Sequence, residues 1–303
     1  MRLLVIVNVH AQAVTPWTVD VIERALSSEF KVELVRTKRT EHAMHLARGG
    51  VHEGFDAVAS FGGDGTVNEV ANGLAGSQVP LAIIPGGGTN VLARSLGIPK
   101  DPVEATWFLI AHRRNEPRRV SLGRAEGRYF TFGCGVGLDG AIVRDVERRQ
   151  MLKKGLGHPY YVWSALRIFF AGVDRRRPVI QLRWGPNLQY RRDGLFLAIC
   201  QKTRPFTYLG NRELHVCPEA TFDRGLDCFA VDTLRTNTIL RIVTQIFGSH
   251  RHIRNRHALY LRDQPKIEVT CSQPLPVQMD GEYVGDREQL LLESVPDALS
   301  LLY

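Results

Sequence analysis

Three short segments of this 303-residue chain have residue types and spacings that suit chemistry on an anion. The first is Ser60-Phe-Gly-Gly-Asp-Gly-Thr-Val-Asn-Glu69, which lies between an apolar run and a helix-like run. A glycine turn between a buried strand and a helix exposes backbone N–H groups to an anion. Asp64 stands in the middle of this turn, and binding a metal ion on a held phosphate is the best chemical reason for an acid there. The structural alternative is a tight turn in which Asp64 helps to cap the helix.

The second segment is Pro85-Gly-Gly-Gly-Thr-Asn90. It also follows an apolar strand, at residues 80–84, and precedes a helix predicted from Thr89 to Leu96. Its backbone donors could contact the same phosphate groups. A helix cap without a ligand is the structural alternative.

The third segment is Val277-Gln-Met-Asp-Gly-Glu-Tyr-Val-Gly285, in which Asp280 and Glu282 flank a glycine. Transfer of a phosphoryl group to a hydroxyl needs a base that orients the hydroxyl and accepts its proton. The first half of the chain offers Asp64 for a metal but no evident free base, so a carboxylate from this segment would complete the site. The alternative is a hairpin turn with solvated acids.

The elements that must position these segments alternate between strand and helix up to about residue 119, and the strands are apolar on both faces. This pattern predicts a parallel sheet covered on both sides, with ligands at the carboxyl ends of the strands. Four segments fall at those ends: Asn8, Thr37, Gly62–Thr66 and Gly86–Asn90. A helix predicted from Thr40 to Arg48 is expected to end at Gly49-Gly50.

The pattern changes near Val120 to short alternating strands with turn signals, which predicts a mostly antiparallel, sandwich-like domain. One of these strands is predicted at residues 266–271, and residues 151–157 are expected to form a mobile basic loop. We therefore predict an α/β domain at residues 1–119 and a β-sandwich domain at 120–295. A final strand at about 296–303 could return to the first domain.

Composition and charge narrow the class of protein. Hydrophobic residues make up 44% and charged residues 23%, as in soluble globular proteins. No apolar run reaches the roughly 18 residues of a spanning helix, no signal peptide is evident, and the five cysteines form no CxxC pair. These features predict a cytoplasmic protein without a zinc site.

The net charge of +8 is concentrated in the second half of the chain. Residues 1–119 carry 13 basic and 12 acidic residues, whereas residues 120–303 carry 26 and 19. An anionic membrane surface and nucleic acid are both partners of basic proteins. Because the chain carries no nucleic-acid recognition motif, we expect no nucleic-acid partner.

The segments GGDGTVNEV, PGGGTNVLARSLGIP and DGE resemble, in order and spacing, those of the diacylglycerol kinase catalytic-domain family. That family includes bacterial lipid kinases and the sphingosine and ceramide kinases. Asn8 and the string Thr37-x4-His42-Ala43 match as well, and the resemblance covers nearly the whole chain. GGDGT alone is shared with NAD kinases and resembles the phosphofructokinase motif, but the other two segments separate this chain from both.

The resemblance implies a phosphofructokinase-like N-terminal domain, a C-terminal β-sandwich, ATP and Mg²⁺ as cofactors, and a lipid hydroxyl as the phosphorylated group. It assigns Asp64 to the catalytic Mg²⁺, Glu282 to the role of general base, and Asp280 to its support. The residues it places near ATP are Asn8, Thr37, Gly62, Gly63, Asp64, Gly65, Thr66, Asn68 and Glu69, with Gly87, Gly88, Thr89 and Asn90 as a second wall.

Three positions depart from the family pattern. The usual GTxN is Gly87-Gly-Thr-Asn90, and the following residue, often Asp, is Val91. Many bacterial relatives also have an Asp that holds a structural Mg²⁺ before the Gly of a DGL segment, where this chain has Arg224. A guanidinium could supply the charge of that ion, and Asp223 is the residue that could still bind it.

Peripheral contact with an anionic membrane fits a basic chain without a spanning segment. The aromatic helix predicted around residues 160–170 could insert apolar side chains, although it could equally cover the core of the second domain. Edge strands of a sandwich would allow a homodimer. Two other functions stay open: a small-molecule kinase resembling NAD kinases, and a degenerate protein that binds nucleotide or lipid without catalysis.

Overall fold

The computed structural model describes residues 1–149, 158–172 and 174–303. The chain forms two compact units. The N-terminal unit comprises Met1–Leu122 and Pro296–Tyr303, and the C-terminal unit comprises Gly123–Val295. The basic loop predicted at residues 151–157 lies outside the described residues.

Strands and helices alternate in the N-terminal unit, as the sequence predicts. Parallel pairs join the strands in the order β2, β1, β3, β4, and Leu301 near the C-terminus pairs in parallel with Leu81 of β4. The elements are β1 (Arg2–Val7), α1 (Pro16–Ser27), β2 (Lys31–Arg36), α2 (His42–His52), β3 (Ala57–Gly62), α3 (Asp64–Leu74), β4 (Leu81–Pro85), α4 (Val91–Ser95) and α5 (Pro102–His112).

Two neighbouring strands of this sheet, β3 and β4, are buried at every residue. This double burial explains why they read as continuous apolar runs rather than as alternating ones. Helices α1 and α5 pack on one face, where Ile22 and Leu109 join the core residues of β1 and β3. Side chains cap the start of α1, where Thr15 forms a capping box with Thr18.

Helix α2 is longer than the sequence predicts, and the expected end at Gly49-Gly50 is wrong. The helix continues to His52 and places Gly50 against β1. A Cβ atom on Gly50 would lie 2.8 Å from Cδ2 of Leu4, so the glycine allows close packing of helix on strand. Tertiary packing therefore outweighs the low helix propensity of the glycine pair.

The C-terminal unit is mostly antiparallel and strand-rich. Its elements are β5 (Arg118–Ala125, which starts in the N-terminal unit), β6 (Arg128–Phe130), β7 (Gly133–Gly137), α6 (Leu138–Arg148), α7 (His158–Arg167) with a π-helical turn (Ile168–Gly172), β8 (Ile180–Trp184), β9 (Tyr190–Leu195), β10 (Leu197–Gln201), β11 (Thr207–Leu209), β12 (Arg212–Leu214), β13 (Leu226–Val231), α8 (Thr236–Ile246), a 3₁₀ turn (Arg251–Arg254), β14 (Ala258–Gln264), β15 (Lys266–Met279) and β16 (Glu282–Leu301).

Strand β15 is the centre of this unit. It pairs antiparallel with β16 along most of its length, with β8 near its start and with β7 near its end. The strand predicted at 266–271 is only the first part of β15. An irregularity in the pairing register between Thr270 and Leu275 interrupts the alternation of buried and exposed residues along this strand. Strands β10 and β13 continue the sheet beyond β7.

Strands β10 and β13 are buried on both faces. Ala198 and Cys228 point into the core between the strand layers, whereas the alternating residues Ile199 and Phe229 point toward α6, α8 and the π-helical turn. Parallel strands in the N-terminal unit and antiparallel strands in the C-terminal unit confirm the predicted fold class. Among the described residues, no helix is long and apolar enough to cross a bilayer.

Candidate active site

Two glycine loops meet at the carboxyl ends of β3 and β4. The backbone N–H of Gly86 donates to the carbonyl of Gly62 over 2.7 Å. A Cβ atom on Gly87 would lie only 2.7 Å from the Cα of Gly63, so the two loops touch backbone to backbone. A side chain on Gly87 would therefore push the loops apart.

Helix α3 begins at this contact and directs its N-terminus to the rim of the sheet. Its first intrahelical hydrogen bond runs from the N–H of Val67 to the carbonyl of Gly63, so the N–H groups before Val67 have no intrahelical acceptor. Asp64 lies in this first turn and is half-buried. A carboxylate beside such donors fits a hard divalent cation carried by a phosphate group.

Asn8 and Thr66 connect β1 to this helix. The side-chain amide of Asn8 donates to Oγ1 of Thr66 over 2.9 Å. A Cβ atom on Gly62 would lie 2.5 Å from the same Oγ1, so the glycine makes room for the hydroxyl. The N–H of Thr37 donates to the carbonyl of Val7 over 2.9 Å, which places Thr37 at the same edge of the sheet as Asn8.

Asn90 fixes the second glycine loop through its side chain. Its Oδ1 accepts from the N–H of Gly87 over 3.0 Å, and its Nδ2 donates to the carbonyl of Gly87 over 2.7 Å. Asn90 has a φ of 50° and precedes α4, which therefore begins at Val91 and not at Thr89 as predicted. Thr89 is half-buried, Gly88 is exposed, and Val91 is buried.

Asn68 and Glu69, also predicted near ATP, make contacts within the protein. The carboxylate of Glu69 accepts from the N–H of Glu41 over 2.8 Å and from that of Ala43 over 3.0 Å. It thereby satisfies donors at the start of α2 that have no acceptor within that helix. Asn68 is buried, and its Oδ1 accepts from Nδ2 of Asn72 over 3.2 Å.

Asp280 and Gly281 form the turn between β15 and β16, with φ values of 49° and 80°. Positive φ at both central residues is typical of the type I′ hairpin, for which Asp-Gly is a favoured pair. Asp280 is nevertheless 3% exposed, unlike a solvated turn acid. Its carboxylate accepts from N and Oγ1 of Thr131 (2.6 and 2.9 Å) and from the N–H groups of Phe132 and Gly133 (2.9 and 3.0 Å).

Burial raises the pKa of Asp280, and the hydrogen bonds from Thr131 to Gly133 act in the opposite direction. Glu282, by contrast, keeps 39% of its side chain exposed and accepts from the guanidinium of Arg128 over 2.5 Å. Asp280 thus anchors the hairpin, and Glu282 is the carboxylate that the hairpin presents.

Two residues that the sequence did not single out also hold this hairpin. Oε1 of Gln278 accepts from the N–H of Gly281 over 2.8 Å, and its Nε2 donates to Asp139 over 2.7 Å. Burial raises the pKa of Asp139 to about 6, although the hydrogen bond from Gln278 lowers it. Gly135 is required beside it, because a Cβ there would lie 1.7 Å from the Asp139 carboxylate.

At the position of the expected structural Mg²⁺, Asp223 and the side chain of Arg224 are both exposed. In the part of the chain that the structure describes, no group of three His, Cys, Asp or Glu residues is arranged to hold a metal ion. The assignment of Asp223 to a metal stays a prediction, as do the catalytic roles of Asp64 and Glu282.

Comparison with known proteins gives the family. The family model described as "Diacylglycerol kinase catalytic domain" matches residues 2–125. The chain is 30% identical over 265 residues to "Probable lipid kinase YegS-like" of Xanthomonas euvesicatoria pv. vesicatoria, covering 83% of this chain and 80% of that protein. The chain belongs to the diacylglycerol kinase catalytic-domain family.

Other relatives agree with this membership in a family of lipid kinases. "Diacylglycerol kinase" of Bacillus subtilis (strain 168) is 26% identical over 270 residues, which cover 88% of this chain and 84% of that one. A crystal structure of a diacylglycerol kinase from Bacillus anthracis str. Sterne superposes with a TM-score of 0.77, at 24% identity, covering 100% of this chain and 96% of that one. At that identity the superposition shows the fold alone.

Proposed function

We propose that this member of the diacylglycerol kinase family transfers the γ-phosphoryl group of ATP to the hydroxyl of a diacylglycerol-like lipid. The observation that carries the proposal is the backbone contact of the two glycine loops at the N-terminus of α3. Loops joined in this way present N–H groups to phosphate oxygens with no side chain between them. Family membership in the lipid kinases supports the choice of a lipid hydroxyl as the acceptor.

Asp64 would hold the catalytic Mg²⁺ from the first turn of α3. When bound, the ion neutralises charge on the phosphate oxygens during transfer. The chain's own part is to orient the nucleotide: the N–H groups of α3 would bind phosphate oxygens, and Asn8 holds Thr66 at their edge. Thr37 and the loop held by Asn90 would line the same nucleotide.

Glu282 would act as the general base. Its carboxylate would accept the proton from the lipid hydroxyl as the oxygen of that hydroxyl bonds to phosphorus and the ADP oxygen leaves. The ion pair with Arg128 orients the carboxylate, and the hairpin that carries it is held by Asp280 and Gln278. The two latter residues are positioning residues in this proposal.

Labelled ATP, incubated with lipid extract or with NAD and separated by thin-layer chromatography, tests the activity. We expect label in lipid and none in NAD; label in NAD alone would support an NAD-kinase-like function instead. Glu282→Gln should bind ATP as the wild type does but lose turnover. Glu288→Gln is the matched control, because Glu288 is exposed on the same strand.

A second candidate function is binding without catalysis. Val91 favours it, because this apolar residue is 2% exposed where relatives often have an acid, and so the site lacks one carboxylate. A wild-type protein that binds ATP and lipid but labels no lipid would establish this alternative.

The lipid would be reached at an anionic membrane surface, which we propose contacts the helices of the C-terminal unit. Among the side chains that the structure describes in α7, the π-helical turn and α8, six large apolar ones are exposed. We call them the helical surface: Val162, Trp163, Leu166, Phe170, Leu240 and Val243. Both helical segments pack on one buried cluster that contains Phe169 and Ile242. Arg175 lies over the Phe169 and Phe170 rings at 5.3 and 5.4 Å, so apolar and cationic groups occur side by side.

A further inference from the structure

Lys202 follows β10 in the C-terminal unit and is fully buried, with 0% of its surface exposed. Its backbone N–H donates to the carbonyl of Phe132 over 3.0 Å. Lysine is seldom buried, because an ammonium removed from water must find hydrogen-bond acceptors in the protein. The role of Lys202 therefore depends on the acceptors around its Nζ atom.

Three oxygen atoms surround the Lys202 ammonium. They are the main-chain carbonyl oxygens of Arg224 and Gly225, the second at 3.3 Å, and the hydroxyl of Ser294 at 3.1 Å. An ammonium has three N–H donors, so each donor has one acceptor here. We call these three oxygens the carbonyl cradle.

Carboxylates near the carbonyl cradle favour the charged form of the lysine. Burial lowers the pKa of Lys202 to about 8, and the charges of Asp263, Asp227 and Asp223 act in the opposite direction. The carboxylate of Asp227 accepts from the hydroxyl of Tyr260 (2.6 Å) and the N–H of Asp263 (2.9 Å). Asp227 is thus engaged by donors of the chain as well as by the lysine charge.

The segment from Arg224 to Leu226 is held closely in place. Oδ1 of Asp263 accepts from the N–H of Gly225 over 2.6 Å. A Cβ atom on Gly225 would lie 2.6 Å from the carbonyl oxygen of Gln264, so no side chain fits there. The carbonyl cradle is therefore fixed by the fold and accepts a cation in one place.

Carbonyl and hydroxyl oxygens are ligands that Mg²⁺ and Ca²⁺ take, but in this chain the lysine uses them. A divalent ion at the same oxygens would be repelled by the ammonium beside it. We propose that the Lys202 ammonium is a built-in cation that replaces the structural Mg²⁺ associated with this segment in bacterial relatives. The exposed guanidinium of Arg224 does not have this role; the residue contributes its carbonyl oxygen.

Metal titration of the folded protein tests the replacement. The Asp64→Ala variant, without nucleotide, removes the ligand proposed for the catalytic ion, so a second cation site would be measured alone. Its thermal unfolding should have the same midpoint in EDTA, in Mg²⁺ and in Ca²⁺. A saturable rise of the midpoint with either ion, abolished by adding Asp223→Ala, would overturn the proposal.

Substitution of the lysine tests its part directly. Lys202→Met keeps the side-chain length but removes the donors, and it should lower the urea midpoint of unfolding. Lys266→Met is the control, since Lys266 is 45% exposed and pairs with Glu293 at the surface. A Lys202→Met protein as stable as the control would contradict the proposal.

If Lys202→Met does not fold, the wild type provides the measurement. Acetylation followed by mass spectrometry should modify Lys266 in the native protein and leave Lys202 unmodified until the protein is unfolded. Modification of both lysines at similar rates in the native protein would show that the ammonium is not held in the cradle. The outcome is independent of the kinase assay, so it can fail while the proposed function stands.

Discussion

Replacement of Asp280 by Asn is the sharpest test of how the hairpin is held. Asn keeps the shape of the side chain and tolerates the positive φ of 49° at this position. It has one acceptor oxygen where Asp has two, and the carboxylate accepts from three buried backbone N–H groups, those of Thr131, Phe132 and Gly133. In the better amide orientation, the oxygen serves Phe132 and Gly133, and the N–H of Thr131 loses its acceptor.

An unsatisfied buried N–H costs about 1–3 kcal/mol, and this range is the expected loss of unfolding free energy for Asp280→Asn. Asp280→Ala would leave all three N–H groups without this acceptor. Its loss of unfolding free energy would be roughly three times as large and would approach the total stability of many domains. Asparagine is therefore the more informative change. Urea denaturation measures the free energy of unfolding. Turnover with ATP and lipid reports the effect on Glu282, and this turnover should fall while ATP binding persists.

The matched control is Asp286→Asn in the same hairpin. Asp286 is 38% exposed and pairs with Arg144 at 3.1 Å, so its loss should change stability by less than about 1 kcal/mol. The reasoning is refuted if Asp280→Asn unfolds at the same urea concentration as this control. Normal stability with lost turnover would also contradict it, because the effect on Glu282 is expected to follow from the loosened hairpin.

Three further predictions concern pH, nucleotide and membrane. Burial holds the folded pKa of Asp139 near 6, above its usual 3.8, so the protonated carboxyl contributes most to stability below pH 4 and this contribution is lost as the pH rises through 6. In urea titrations, Asp139→Asn should therefore be as stable as the wild type near pH 4. At pH 8 it should be more stable than the wild type, by at most about 3 kcal/mol. Gly87→Ala should weaken ATP binding measured by calorimetry, because the new methyl group separates the two glycine loops, while circular dichroism shows that the fold persists. Unchanged affinity would contradict the proposal that the two glycine loops bind the phosphates of ATP. Leu240→Ser should reduce flotation with vesicles that contain phosphatidylglycerol, because it loses part of the roughly 1.5–3 kcal/mol that burial of a leucine contributes. Leu291→Ser changes an exposed leucine on a strand, which is not part of the helical surface, and should float as the wild type does.

The local part of the candidate site could be predicted from the sequence, because glycine turns between strand and helix are encoded within a few residues. Gly62 to Thr66 and Gly86 to Asn90 are such segments, and the structure places both at one edge of the sheet. The long-range part could not be predicted in the same way. The contact of Glu69 with Glu41 and Ala43 depends on how α2 and α3 pack, which no spacing in the chain reveals.

The same limit applies in the C-terminal unit. The pair Asp280-Gly281 predicts a hairpin, but it does not show that residues 131–133 turn their N–H groups toward the carboxylate. Lysine is usually found at the protein surface, and only the fold shows that Lys202 is buried next to carbonyl oxygens. For α2, the sequence signal was misleading, since Gly50 serves helix packing and not helix termination.

The backbone contact of Gly63 with Gly87 also restricts which substitutions this protein can accept at these two positions during evolution. Most unfavourable contacts in a protein can be relieved by trimming the partner side chain, so a second mutation restores the first. Neither glycine here has a side chain to trim, and the Cβ of any other residue at position 87 would lie 2.7 Å from the Gly63 Cα. We therefore expect a suppressor screen that starts from Gly87→Ala to recover reversions, and no compensating substitution at position 63.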